Sequence, residues 1–194
     1  MIPIALDPNR ITIALAGRGA PLRRRLGTLR AGHARQLTLF CDEPRPALCD
    51  QPDASLEAAD DLMVHRRLPQ PTDLAGLDVL WIAGLTLDLA VPLAAAARMH
   101  GVLVNVEDLP DQCDFHSVAE IRRGDLLLTV STGGRSPGLA ARIRARLERQ
   151  FSPAWGARVA RIASLRQQWR EDGRSMDEVS ALTDAVLTSA GWLA

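Results

Sequence analysis

The chain has no lysine and no tyrosine, so its 23 basic residues other than histidine are all arginine. That excludes Schiff-base chemistry and any other lysine-dependent step. An excess of one charge is also missing. The 23 basic side chains meet 23 acidic ones, and bulk charge therefore points to neither nucleic acid nor an acidic membrane as partner. Cysteine is scarce: Cys41, Cys49 and Cys113 are odd in number and show no C-x-x-C spacing. This fits a reducing cytoplasm better than a disulfide framework, and no resident metal site is assigned. No apolar run approaches the roughly 18 residues of a membrane span. The opening MIPIALDPNR lacks a basic region followed by a long apolar core, so no signal peptide is expected. With 194 residues there is length for one large domain or two small ones.

What is present alternates. After an apolar opening, Ile2 to Leu6, and a turn at Asp7-Pro8-Asn9, the pattern predicts a strand from Ile11 to Leu15. A tight loop, Ala16-Gly17-Arg18-Gly19-Ala20-Pro21, leads into an Arg-rich helix from Leu22 to Arg30, and Gln36 to Cys41 reads as a second strand. Strand, glycine loop, helix, strand is the opening unit of a Rossmann-like fold. Glu43 to Asp53 reads as a loop, and Ser55 to His65 as a helix with Asp60 and Asp61 on its solvated face. A buried strand, Asp78 to Ala83, an alanine-rich helix, Leu89 to His100, and a strand, Val102 to Val106, complete a parallel α/β pattern.

The stretch Gly101 to Leu147 carries the chemistry. Its first strand delivers Asn105, Glu107 and Asp108 to a C-terminal tip and breaks at Pro110. Phe115 to Arg122 suits a helix, and Asp125 to Ser131 a strand that runs into Thr132-Gly133-Gly134-Arg135-Ser136-Pro137. There a glycine turn opens a basic helix, Leu139 to Phe151, with Ser136 as N-cap and Pro137 in the first turn. Hydroxyls and backbone N–H groups from Ser131 to Ser136, with Arg122, Arg123, Arg142, Arg144 and Arg146 near in sequence, suit an anionic ligand. From Pro153 onward the chain reads as helical, with apolar stripes at Ala160, Ile162, Ala163, Leu165 and Trp169 and at Val179, Leu182, Val186 and Leu187, and with a turn at Gly173 and Ser175.

The run NVEDLPDQCDFHSVAEIRRGDLLLTVSTGGRSPGLA resembles the precorrin-2 dehydrogenase/sirohydrochlorin ferrochelatase family, the N-terminal module of siroheme synthases. The order Asn-Val-x-Asp, Cys-Asp-Phe, Arg-Gly-x-Leu and Ser-Thr-Gly-Gly-x-Ser-Pro carries the likeness, which is much weaker outside residues 101–147. The resemblance implies a Rossmann-like parallel sheet domain over 1–108, a dimerisation and tetrapyrrole-site segment over 109–150, and a helical C-terminal domain over 151–194. It implies a homodimer whose C-terminal half swaps across a two-fold axis. NAD is the implied cofactor, an anionic tetrapyrrole the substrate and ferrous iron a second substrate. Asp108 stands where the family's aspartate removes protons during dehydrogenation and assists metal insertion. Asn105, Phe115, His116, Ser131, Thr132, Gly133, Gly134 and Ser136 fall at the tetrapyrrole. Gly17, Arg18, Gly19 and Ala20 fall at the cofactor loop, with Asp42 and Glu43 at the end of the second strand as acceptors for ribose hydroxyls.

Three departures mark this chain, one of them His116, since the family's residue after Phe is usually apolar. The family's loop is typically G-G-G-x-V-A-x-R-K, and here two of the three glycines are replaced, one by Arg18. Arg18 can place its guanidinium on a phosphate or fill the cofactor space itself. The family's A-T-D-D reads Ala83-Gly84-Leu85-Thr86 here, which turns a polar rim apolar. Two further readings therefore stay open on the sequence. One is a chelatase-only homologue that has lost NAD binding; the other is a non-catalytic tetrapyrrole carrier with His116 as ligand.

Overall fold

The computed structural model describes residues 2–34, 36–43 and 62–193. They form two compact units, Met1–Ser117 and Val118–Ala194.

The first unit is a five-stranded parallel sheet. Its strands are β1 (Ile13–Gly17), β2 (Leu37–Phe40), β3 (Leu62–His65), β4 (Val79–Ala83) and β5 (Leu103–Val106), in the order β3-β2-β1-β4-β5. β1 is buried along its whole length because it is central and covered on both faces, as the continuous apolar run IALAG requires. Its side chains alternate. Ala14 and Ala16 face the cluster that takes in Ala90, Ala94 and Ala97 of α2 (Leu87–Met99). Ile13 and Leu15 face Leu22, Leu26 and Leu29 of α1 (Gly19–Ala31). Burying each such leucine stabilises by about 1.5–3 kcal/mol. The strand order reverses direction about β1, so the crevice of the fold opens at the C-terminal tips of β1 and β4.

One expectation fails here. Leu62 to His65 is not the end of a helix; it is β3, paired in parallel register with β2 from Leu37↔Leu62 to Phe40↔His65. Burial beside the sheet overrides the helical spacing, for Leu62 and Val64 pack on the α1-side cluster. Residues 44–61, which hold most of the expected loop and the start of that helix, lie outside the described residues.

The second unit opens with an antiparallel hairpin, β6 (Ala119–Arg123) and β7 (Leu126–Val130). The helix expected over Phe115 to Arg122 is therefore replaced by a strand. Gly124-Asp125 is a two-residue hairpin turn with Gly124 at φ 58°, and it folds Arg123 back onto Leu126. α3 (Pro137–Gln150) follows, capped as expected: the Leu139 N–H donates to Ser136 Oγ at 3.3 Å. α4 (Ala154–Glu171) and α5 (Met176–Ser189) form a helical hairpin, and a reciprocal cap between Ser175 and Glu178 starts α5. Of the two expected stripes, Val179 is fully buried, while Ala160 and Ala163 stay exposed. Between the two helices runs a groove of about 870 Å³ lined by Trp155, Val159, Ile162, Leu187 and Trp192. The Arg158 guanidinium lies 4.9 Å from the Trp155 ring centre and 5.3 Å from that of Trp192. No helix among the described residues is long and apolar enough to cross a membrane.

Candidate functional site

The crevice of the first unit is built from strand tips. β1 ends at Gly17, which lies so close to β4 that a Cβ there would stand 1.8 Å from the Ala83 carbonyl oxygen. The Arg18 N–H then donates to that same oxygen at 3.0 Å, tying the glycine turn to the neighbouring tip. α1 begins at Gly19 with its positive end toward the crevice, where an anion is favoured. Pro21 in that first turn offers no N–H.

Side chains of the chain itself occupy these groups. The Gly19 N–H donates to Glu43 Oε2 at 2.7 Å. Arg18 grips Asp42 with both arms of its guanidinium, Nε to Oδ1 at 2.7 Å and Nη2 to Oδ2 at 2.6 Å. The pair holds the Asp42 carboxyl below the usual carboxylate range and raises the Arg18 guanidinium. Arg18 is held on Asp42 at the end of β2. Gly17, Arg18, Gly19, Asp42 and Glu43 are thus brought together, with Ala20 exposed beside them. Nearby, burial pushes the Cys41 thiol up, away from thiolate. The apolar rim is mixed: Leu85 packs into the α2-side cluster, whereas Leu87 is well exposed.

A dinucleotide in such a crevice needs a glycine turn, backbone N–H groups at a helix head and a carboxylate after β2. All three are present in kind, and the N–H and the carboxylate are engaged internally.

β5 delivers the second set of groups. Past Val106 the chain turns at Glu107 and Asp108, and Asp108 adopts φ 62°, left-handed for a residue with a side chain. Asp108 stands exposed at this corner. The corner is tightly held from behind. Asn105 is buried and donates through Nδ2 to the Phe115 carbonyl at 2.8 Å. The Cys113 thiol sits among main-chain atoms, 3.2 Å from Val106 O and 3.3 Å from Leu109 O. Asp114 accepts the Val104 N–H at 2.9 Å and pairs with Arg98 at 3.0 Å. Phe115 is half-buried with its ring edge-to-face with Trp81 at 5.0 Å, and His116 follows it, also half-buried. The sequence motif Asn-Val-x-Asp…Cys-Asp-Phe is, in structural terms, the bracing of this corner.

Glu107 is the residue that sequence reading underused. Its carboxylate is largely buried. Oε1 accepts Arg24 Nη2 at 2.5 Å, while Oε2 is buried with no partner among the described residues. Arg25, the next residue on α1, donates to Ser117 Oγ at 2.8 Å, and burial pulls its guanidinium below its ordinary value. The signal was the charge itself, a glutamate directly before Asp108 at the strand tip.

In the second unit, the turn from Ser131 to Ser136 precedes α3. Gly133 and Gly134 take φ 63° and 78°, and neither would meet an atom within 4 Å if given a Cβ. Three of its N–H groups are used internally: Gly133 to Ser131 Oγ at 3.2 Å, Arg135 to Thr132 O at 3.1 Å and Ser136 to Thr132 Oγ1 at 3.1 Å. Of the neighbouring arginines, Arg122 pairs with Glu120, Arg123 reaches Phe151 O at 2.9 Å and Arg144 pairs with Glu148, while Arg142 and Arg146 stay exposed on α3. Among the described residues no cluster of His, Cys, Asp and Glu could hold a metal ion.

Sheet order, glycine turn and strand-tip carboxylate define the first unit as a Rossmann-type domain of the NAD(P)-binding class. Comparison with known proteins agrees: residues 4–119 match the family described as putative NAD(P)-binding, and residues 123–150 match the sirohaem biosynthesis protein central family. The siroheme synthase of Methylococcus capsulatus is 32% identical over 171 residues, which cover 88% of this chain and 35% of that one. The siroheme biosynthesis protein met8 of Schizosaccharomyces pombe is 43% identical over 68 residues, 35% of this chain and 26% of that one. The solved structure of SirC, a precorrin-2 dehydrogenase, superposes with a TM-score of 0.75 over 100% of this chain and 93% of that one, at 23% identity, and so supports the fold. The chain belongs to the family described as putative NAD(P)-binding, whose model covers more than half of it, and over most of its length it is similar to part of a siroheme synthase. It spans about a third of the length of the curated siroheme synthase it matches over most of its own length.

Proposed function

We propose that the chain is an enzyme of siroheme biosynthesis, oxidising precorrin-2 to sirohydrochlorin with NAD and then inserting ferrous iron. In this reading it works as a homodimer in the cytoplasm. NAD, when bound over Gly17 to Ala20, supplies the hydride acceptor. The chain must remove protons in both reactions: oxidation releases a proton along with the hydride, and iron entry displaces the pyrrole N–H protons. Asp108 is the proton acceptor. Its position supports that role: an exposed carboxylate held at a left-handed corner, with Asn105, Cys113 and Asp114 fixing the backbone on either side. Glu107 beside it carries a second, buried charge that stays fixed on Arg24. The turn from Ser131 to Ser136 and the exposed Arg142 and Arg146 are assigned to the carboxylates of the tetrapyrrole.

The observation that carries the reading is the strained, exposed Asp108 at the tip of β5. Its test is Asp108→Ala, assayed by absorbance for sirohydrochlorin and for siroheme. Both rates should fall by about 10²-fold or more while circular dichroism and melting temperature stay those of the wild type. Wild-type turnover in the variant would remove Asp108 from the chemistry.

A further inference from the structure

We infer that Arg18, Asp42 and Glu43 form a latch that closes the dinucleotide seat, so that the cofactor binds only by displacing the chain's own side chains. The inference rests on the NAD-dependent reading above.

The latch joins two pairs of sequence neighbours, Arg18-Gly19 after β1 and Asp42-Glu43 after β2. Each half copies a contact that a dinucleotide would make. A pyrophosphate approaches the head of the helix that follows β1 and accepts its backbone N–H groups. The Glu43 carboxylate already stands there, 2.7 Å from the Gly19 nitrogen, an anion in an anion's place. A ribose hydroxyl donates to the carboxylate after β2. Both Asp42 oxygens already accept from a bidentate guanidinium, with which a ribose hydroxyl must compete. Pro21, in the first turn of the same helix, has no N–H to offer a phosphate.

The two halves differ in what they oppose. Glu43 excludes a phosphate by like charge as well as by occupying its donor. Arg18 only competes for Asp42, and once released it is a cation near the same helix head. Removing Glu43 is therefore the more favourable change for binding.

Titration calorimetry of NAD⁺ into the purified chain, with no tetrapyrrole present, measures the latch directly. Glu43→Ala should lower the dissociation constant at least tenfold. Glu43→Gln, which keeps the size of the side chain and removes its charge, should lower it less, and it serves if the alanine variant folds poorly. Raising NaCl from 50 to 500 mM should narrow the gap between wild type and Glu43→Ala, since salt screens the repulsion that only the wild type carries. Equal or weaker NAD⁺ binding by both Glu43 variants would overturn the inference, as would no binding by any of the proteins at 10 mM. Binding is read without turnover, so a failed latch and a failed dehydrogenase assignment give separate results.

Discussion

The turn after β1 and the turn after β7 both depend on glycine, for opposite reasons. At Gly17 the demand comes from a neighbour, because the Ala83 carbonyl occupies the space a side chain would need. At Gly133 and Gly134 the space is open and the demand comes from the backbone's own left-handed φ. The first turn is thus a packed junction, hydrogen-bonded to one strand tip and latched to another. The second is a free-standing cap on α3. A glycine-rich motif in a sequence does not say which of these it is, and the two respond differently to mutation and to ligand.

Gly17→Ala is the strongest test of that contrast. Its methyl would press on backbone that cannot swing aside, and overpacking of this kind costs about 1–3 kcal/mol. A drop of several degrees in melting temperature is expected. Gly133→Ala meets no atom and bears only the left-handed penalty of about 1–2 kcal/mol. Equal melting points for the two variants would erase the distinction.

Next in size is Asn105→Ala, which takes the buried Asn105 amide from the half-buried Phe115 carbonyl and should cost about 1–3 kcal/mol in urea unfolding. A stability unchanged from wild type would mean that the corner under Asp108 is braced by Cys113 and Asp114 alone.

The smallest effect concerns Asp73, which follows β3. The Arg67 guanidinium, bonded at 2.5 and 2.8 Å, holds the Asp73 carboxyl down at about 2. The unfolded chain takes up this proton near pH 4, roughly, and the folded chain only near 2. The pair's contribution is therefore complete above about pH 4 and is lost as the pH falls toward 2. The stability difference between wild type and Asp73→Asn should shrink between pH 6 and pH 2.5; a constant difference would show the pair to be idle.

Much of the first unit was legible because parallel strands buried on both faces leave continuous apolar runs, such as Ile13 to Ala16 and Val79 to Ala83. β3 was not, since four residues give too short a sample to separate a period of two from one of 3.6. β6 was misread although its signal was present: Gly124-Asp125 between Glu-Ile-Arg-Arg and Leu-Leu-Leu-Thr is a hairpin spacing. At the site, the residue types were readable and their pairing was not. Arg18, Asp42 and Glu43 were all singled out as contacts for a cofactor, yet nothing in a linear sequence says that a guanidinium 24 positions away will take a carboxylate first. Asn105 likewise reads as a binding residue, while the structure turns its amide inward to Phe115. Polar side chains at strand tips can serve the ligand or the loop that presents it, and periodicity is blind to the choice.

The absence of tyrosine acquires a practical meaning once the two units are separated. Of the four tryptophans, Trp81 lies in the first unit and Trp155, Trp169 and Trp192 in the second. Ultraviolet emission therefore watches mainly the helical hairpin, where Arg158 lies against two of the three indoles. Backbone dichroism draws on both units. Replacing Trp81 with phenylalanine leaves a chain whose glow belongs to one half alone, so that a mismatch between the optical and dichroic melting curves times the two halves coming apart separately.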